Sequence, residues 1–317
     1  MIRKLAVALL LSCSVAAASA ADAPDVRLGS QSVLVVEDGT GKVLVEKNST
    51  AIVPIASLTK LMTAMVVLDA KLDMEEQISI DQQDVDVLKH STSRVPVGAT
   101  LSRGEVLQLA LMSSDNRAAA SLARTFPGGP AAFKAAVDRK IRALGMAQTR
   151  IAEPTGLSPA NTSTAADLVK MATAAAAYPD ITRITTDTRE VINVKGRSVE
   201  YHNTNRLVGA KGWDIGLSKT GYTEEAGRCL IMRIKAAGKN ATMVLLNARA
   251  NSARIMDALN IRRFITGDEG RATTSRVARS APASLIKASA GRMKVSKVSN
   301  GRKKAAPSKK PRRRRAD

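Results

Sequence analysis

The hydrophobic pattern changes period several times along the chain. SVLVVED (32–38) and KVLVEKN (42–48) are rich in β-branched apolar residues, and Gly39-Thr40-Gly41 between them predicts a hairpin. PIASLTKLMTAMVVLD (54–69) then takes helical spacing, with Leu58, Leu61, Met62, Met65 and Val66 on one side and Ser57 at the junction of loop and helix. Residues 75–101 are mixed: QISID reads as a short strand and RVPVGATLSR as loop. Arg103-Gly104-Glu105 opens a helical run, EVLQLALMSS, and Asn116 to Arg124 is helical and alanine-rich. Pro127-Gly128-Gly129-Pro130 breaks the pattern. AFKAAVDRKIRALG (132–145) is a further helix ended by Gly145, EPTGLSPANTS (153–163) is a loop, and Thr164 caps AADLVKMATAAAAY, which stops before Pro179.

Strand periodicity then returns. REVINV and SVEYHN around Gly196 predict a second hairpin, while residues 203–218 carry little period. CLIMRIKAA and ATMVLLNA are strong strands joined by Gly238-Lys239-Asn240, and NSARIMDALNIRRFIT (251–266) is a last helix. Strands, helices, strands and helix in that order predict an α/β (α+β) fold: an antiparallel sheet built from both chain ends, with a mostly helical part at about 70–200 inserted. The expected domain spans 31–267.

Charge separates the ends from this domain. From Arg271 onward the chain holds sixteen Lys or Arg and one Asp, +15 of the total +21. Residues 1–270 hold the remaining 33 bases and 27 acids, only +6. The pI near 10.4 therefore describes the tail. Residues 268–317 are Ala, Ser, Lys, Arg and Pro with few large apolars, a composition expected to be disordered. The N-terminus reads as a secretory signal over 1–20, with Arg3 and Lys4, the apolar run Leu5 to Leu11, and Ala18-Ser19-Ala20 as cleavage site, followed by a short lead at 21–30. Leu10-Leu11-Ser12-Cys13 resembles a lipoprotein processing site, with Leu11 a poor fit. Cleavage after Ala20 removes Cys13 and leaves Cys229 alone in RCLIMRI, expected as a buried core thiol. His90 and His202 offer no metal-ligand cluster, so no metal or cofactor is expected.

Candidate chemistry centres on Ser57-Leu58-Thr59-Lys60. Residues three apart on a helix share a face, so a hydroxyl and an amine can meet there. Alone this is uninformative, because Ser-x-x-Lys arises about once by chance in a chain of this composition. Two downstream tripeptides change that. Ser114-Asp115-Asn116 lies between two helical runs, and Lys219-Thr220-Gly221 just before a strong strand. Acyl transfer through serine needs a nucleophile, a proton acceptor, an oxyanion site and a carboxylate-recognising group. No histidine lies in these motifs, so lysine must be the base, with a neutral fraction secured by burial or nearby cations. Lys219 can supply such a cation, Asn116 can hold the substrate amide and fix Lys60, Ser114 can relay a proton, and Gly221 lets a substrate backbone approach.

In this order the motifs are those of class A β-lactamases and penicillin-binding proteins. Over roughly residues 30–266 the sequence resembles the low-molecular-mass penicillin-binding proteins, serine peptidase family S11, and most closely their D-alanyl-D-alanine endopeptidase branch. The stretches that carry this are PIASLTKLMTAMVVLD, HSTSRVPVGATLSRGEVLQLALMSSDNRAA, EPTGLSPANTS, HNTNRL and GLSKTGYTEEAGRCL. The resemblance implies a β-lactamase/transpeptidase-like fold with a five-stranded antiparallel sheet. It implies cleavage of D-alanyl cross-links in peptidoglycan and covalent inhibition by β-lactams. It maps Ser57 to the acylated nucleophile, Lys60 to its base, Ser114 and Asn116 to the second motif, and Lys219, Thr220, Gly221 and Tyr222 to substrate binding. The backbone N–H groups of Ser57 and Tyr222 map to the oxyanion hole.

Glu153 invites comparison with the deacylating glutamate of class A β-lactamases, but the Glu-x-x-x-Asn pattern fails because residue 157 is Leu, so EPTGL is read as structural. Tyr222, Tyr201 and Trp213 are expected to cluster around the third motif, and His90 and His202 to be structural or surface residues. The residues after 266 are too few and too polar for the β-rich second domain and anchor helix of the carboxypeptidases, which favours the endopeptidase branch. A D-alanyl-D-alanine carboxypeptidase is the alternative; a β-lactamase or a non-catalytic polyanion-binding protein is more remote. The tail reads either as a contact for anionic surfaces or as a solvated segment. Nucleic acid is disfavoured by the signal sequence and the lack of a recognition fold, and the expected compartment is the periplasm.

Overall fold

The computed structural model describes residues 26–268. The predicted signal, half of the lead and nearly all of the basic tail lie outside the described residues. The first hairpin forms as β1 (Ser32–Glu37) and β2 (Val43–Lys47). The other edge of β1 pairs with β11 (Lys239–Ala248), from Ser32↔Leu246 to Glu37↔Ala241. Beyond β11 come β10 (Gly227–Ala236) and β9 (Asp214–Thr223), giving a five-stranded antiparallel sheet in the order β2-β1-β11-β10-β9.

The middle strands read as unbroken apolar runs because both faces of the sheet are covered. One alternate set, including Val33, Val35, Leu230, Met232, Met243 and Leu245, packs with Ala258 and Ile261 of α7 (Asn251–Thr266). The other set, Leu34, Ile231, Val244 and Leu246, joins the larger core that contains α1 (Thr59–Asp69). Nine of the eleven residues of α1 are buried, so it is a central helix rather than an amphipathic one. Lys60 is among the nine, and a lysine there demands specific partners.

The remaining helices are α2 (Arg103–Met112), α3 (Asn116–Arg124), α4 (Gly129–Ala143), α5 (Ala165–Ala175) and α6 (Pro179–Thr186). Side chains start three of them. Ser102 and Glu105 form a capping box for α2, Asp115 accepts from Ala118 N–H for α3, and Thr164 accepts from Asp167 N–H for α5. Each such cap stabilises by about 1 kcal/mol.

The structure departs from the pattern where proline opens a helix. Pro130 and Pro179 both stand in first turns, where a missing N–H costs nothing, so α4 begins three residues before the predicted 132 and α6 follows the expected stop. Two-residue ladders also escape notice: β3 (Val53–Pro54) pairs with β6 (Thr162–Ser163). β4 (Gln77–Ser79) pairs with β5 (Thr100–Ser102), which lies in the stretch read as loop. The hairpin β7 (Arg189–Val194) and β8 (Arg197–His202) forms a separate sheet.

Candidate active site

The chain leaves β3 and turns sharply into α1 through a 3-10 turn, Ala56–Leu58. Ala56 sits at φ +48°, a left-handed conformation that costs a non-glycine residue on the order of 1 kcal/mol. Two glycines brace this turn. A Cβ on Gly156 would lie 1.9 Å from the Ala56 carbonyl oxygen and 2.8 Å from Ser57 N. A Cβ on Gly221 would lie 3.1 Å from Ser57 N and from the Ile55 carbonyl oxygen. β9 thus runs directly against the residue that carries the candidate nucleophile. The two N–H groups of the expected oxyanion hole, on Ser57 and Tyr222, belong to segments in contact at this point.

Ser57 lies within the 3-10 turn and Lys60 is the second residue of α1. The predicted encounter occurs: Lys60 Nζ donates to Ser57 Oγ at 2.9 Å. It also donates to Asn116 Oδ1 at 2.6 Å and to the Thr155 carbonyl at 2.7 Å. Those last two are obligate acceptors, so they fix two N–H bonds of the amine. The third position faces Ser57, where a neutral amine would present its lone pair. Burial lowers the Lys60 pKa from 10.5 to about 8, opposed by the charges of Glu153, Asp115 and Asp86.

Ser114 occupies the turn between α2 and α3 at φ +60°. Its Oγ accepts from Lys219 Nζ at 2.8 Å. Lys219 is buried in β9, and its pKa is driven well below the ordinary lysine value by that burial, then by the positive charges of Lys60 and Arg254. Lys219 therefore engages the second motif rather than Ser57 itself. Thr220 Oγ1 pairs with Thr204 Oγ1 at 2.7 Å.

Glu153 has no spare capacity for chemistry. Its carboxylate accepts from Thr155 N–H, Thr155 Oγ1, Gly156 N–H, Ser158 N–H and Asn161 Nδ2. It organises the loop whose Thr155 carbonyl holds Lys60 and whose Gly156 abuts Ala56, which is the structural reading made from the sequence.

Tyr222 is half exposed at the outer end of β9, under the Arg228 guanidinium at 3.5 Å. Tyr201 is buried in the larger core beneath Arg94. The expected cluster of three aromatics does not form, because Trp213 packs on the α7 face of the sheet near Arg262. His90 and His202 are both exposed.

Arg254 was not singled out from the sequence. It is buried on α7, donates to the Cys229 carbonyl at 2.9 Å and to Asn251 Oδ1, and has no carboxylate partner among the described residues. A signal existed: residues 254, 258 and 261 share helical spacing, so this arginine sits on the apolar stripe of α7.

The D-alanyl-D-alanine carboxypeptidase family, peptidase S11, matches residues 17–250. The chain belongs to this family. Among its members the chain is 44% identical over 268 residues to a D-alanyl-D-alanine endopeptidase of Pseudomonas aeruginosa, covering 82% of this chain and 86% of that one. It is 42% identical over 252 residues to an Escherichia coli protein of the same name, covering 79% and 81%. Among solved structures it resembles a penicillin-binding protein from Listeria monocytogenes in an ampicillin-bound form, with a TM-score of 0.66 and 27% identity over 76% of this chain and 98% of that one. A Streptomyces DD-transpeptidase shares the fold, with a TM-score of 0.70 and 24% identity over 75% and 97%.

Proposed function

We propose that the chain is a periplasmic serine D,D-endopeptidase that hydrolyses D-alanyl cross-links in peptidoglycan through an acyl-enzyme on Ser57, and that penicillin acylates the same hydroxyl. The observation that carries this reading is the Lys60 amine, held by Asn116 Oδ1 and Thr155 O with its third position 2.9 Å from Ser57 Oγ. Neutral Lys60 takes the Ser57 proton as Oγ attacks the D-alanyl carbonyl. The carbonyl oxygen gains negative charge against the N–H groups of Ser57 and Tyr222. Collapse breaks the C–N bond, and the leaving amine takes a proton delivered through Ser114, which Lys219 holds. Water then repeats the sequence on the ester and restores Ser57. Lys219 and the buried Arg254 concentrate positive charge beside the Thr220 hydroxyl, where a substrate carboxylate would sit, and an anion there favours the protonated form of Lys219.

With every Glu153 acceptor engaged, no base beyond Lys60 is poised for deacylation among the described residues, so a penicilloyl ester persists. Similarity to two endopeptidases supports cross-link cleavage over removal of a terminal residue. The basic tail adds a contact with anionic surfaces; deleting residues after 270 removes that contact and spares hydrolysis.

The test is labelling with a fluorescent penicillin, wild type beside Ser57→Ala. Wild type acquires a covalent adduct and the variant does not; an unlabelled wild type sinks the reading. Digestion of cross-linked muropeptide dimers and of pentapeptide monomers separates the two peptidase activities. Release of D-alanine from monomers alone would make the chain a carboxypeptidase.

A further inference from the structure

The three motifs leave one conspicuous segment unused, the loop that contains HSTSRV (90–95). Three consecutive residues at the start of α3 hold it. Asp115 Oδ2 accepts from Ser93 Oγ at 2.7 Å, Asn116 Nδ2 donates to Ser91 Oγ at 2.8 Å, and Arg117 donates to the Val95 carbonyl. Asp86 fixes the other end, accepting from the backbone N–H groups of Leu88 at 2.8 Å, Lys89 at 3.1 Å and Ser91 at 2.8 Å. His90 between them is left-handed at φ +52°. Lys89 pairs with Glu225 on the turn joining β9 to β10, so the loop bridges the motif-bearing helix start and the motif-bearing strand.

The contact at Ser91 has a consequence for Asn116. A carboxamide rotated by 180° exchanges its oxygen with its NH2 group, at little cost unless partners distinguish the two ends. A reversed Asn116 would point N–H bonds at the Lys60 amine. Ser91 Oγ supplies the partner that distinguishes them, because the Asp86 carboxylate draws its hydroxyl proton and leaves the oxygen to accept one of the two N–H bonds of Nδ2. The other, about 120° away in the amide plane, has no partner among the described residues.

We propose that Ser91 is a positioning residue for acylation: by accepting from Asn116 Nδ2 it keeps the amide oxygen on Lys60 and aims the remaining N–H at the amide carbonyl of the bound substrate. This rests on the acyl-enzyme reading above and adds a residue outside its motifs. The asparagine then enters the reaction already oriented, and loop 86–95 is the element that orients it.

The experiment compares full-length wild type, Ser91→Ala and Ser91→Thr in acylation by two penicillins. Benzylpenicillin carries a side-chain amide carbonyl, and 6-aminopenicillanic acid lacks it. Ser91 is half-buried, which leaves room for the threonine methyl. Ser91→Ala should keep its denaturation midpoint while acylation by benzylpenicillin slows about tenfold, the size of one hydrogen bond. Acylation by 6-aminopenicillanic acid should slow less than threefold, and Ser91→Thr should recover most of the benzylpenicillin rate. Ser91→Ala within twofold of wild type overturns the proposal. So does an equal loss for both compounds, which a loosened fold would also produce, and so does Ser91→Thr as slow as Ser91→Ala. A wild type that neither compound acylates overturns instead the reading on which this one rests.

Discussion

Acylation of Ser57 should follow the neutral fraction of Lys60, which makes pH the sharpest perturbation. Burial brings the amine from 10.5 to about 8 even though Glu153, Asp115 and Asp86 favour its charged form. That displacement of about 2.5 corresponds to about 3 kcal/mol favouring the neutral amine. At pH 7 about a tenth of the molecules carry a neutral Lys60, at pH 8 about half and at pH 9 about nine-tenths. The second-order rate of labelling by a fluorescent penicillin should therefore rise about fivefold from pH 7 to 8 and about twofold from 8 to 9. The same displacement affects stability. Between about pH 8 and 10.5 the unfolded chain keeps a proton on this lysine that the folded chain has lost, so stability rises with pH through that window. Below 8 both states are protonated and the burial penalty is fully present. Cys229 opposes the trend above its ordinary value of 9, because its folded thiol ionises only near 11. The denaturant midpoint should thus climb most cleanly between pH 8 and 9. A labelling rate flat from pH 6 to 9, or one still rising tenfold per unit at pH 9.5, would refute the assignment of Lys60 as the base.

Gly156→Ala should unfold the nucleophile turn: its Cβ would overlap the Ala56 carbonyl at 1.9 Å with φ at +88°. The expected loss is on the order of 3 kcal/mol or more, with penicillin labelling abolished, and a wild-type denaturation midpoint would contradict it. Cys229 should resist iodoacetamide at pH 8 in the native protein and react once guanidinium unfolds it, because it is fully buried and its thiol is pushed up to about 11. Peptide mass mapping reads both states, and equal modification in the two would show the thiol to be accessible.

The parts that were legible in the sequence are those where one period persists for a whole element. The strands of the central sheet and the helix 251–266 are of this kind, and the bounds of α3 and α7 coincide with the predicted ones. β9 was only half visible. Exposed Asp214 and Gly216 interrupt its first half, and its polar motif residues are buried in a continuous run, so no alternation emerges. The chemistry was legible as motif order, because Ser57, Lys60, Asn116 and Lys219 are polar residues that the fold must bury or bring together. Thr155 contributes through its carbonyl oxygen, which no side-chain pattern encodes. Ser91 looked like one more polar loop residue, since its role depends on which way a distant asparagine faces. Gly156 is the intermediate case: a loop glycine is easily seen, but the 1.9 Å approach that requires it is a tertiary fact.

The pairing of β1 with β11 also sets a clock. Residues 32–37 must wait for residues 241–246 before their second edge is satisfied, a separation of more than 200 positions. At about 5–20 residues per second that wait lasts about 10–40 s during synthesis. β9, which braces Ser57 through Gly221, is itself complete only at Thr223. A nascent chain halted before that point carries the serine and its lysine but no wall behind them. Contacts this distant in sequence slow folding in proportion to the loops they close, so refolding should be slow compared with helical proteins of the same size. Activity, on this topology, is a late event in the life of each molecule, and it arrives with the strands from the far end of the chain.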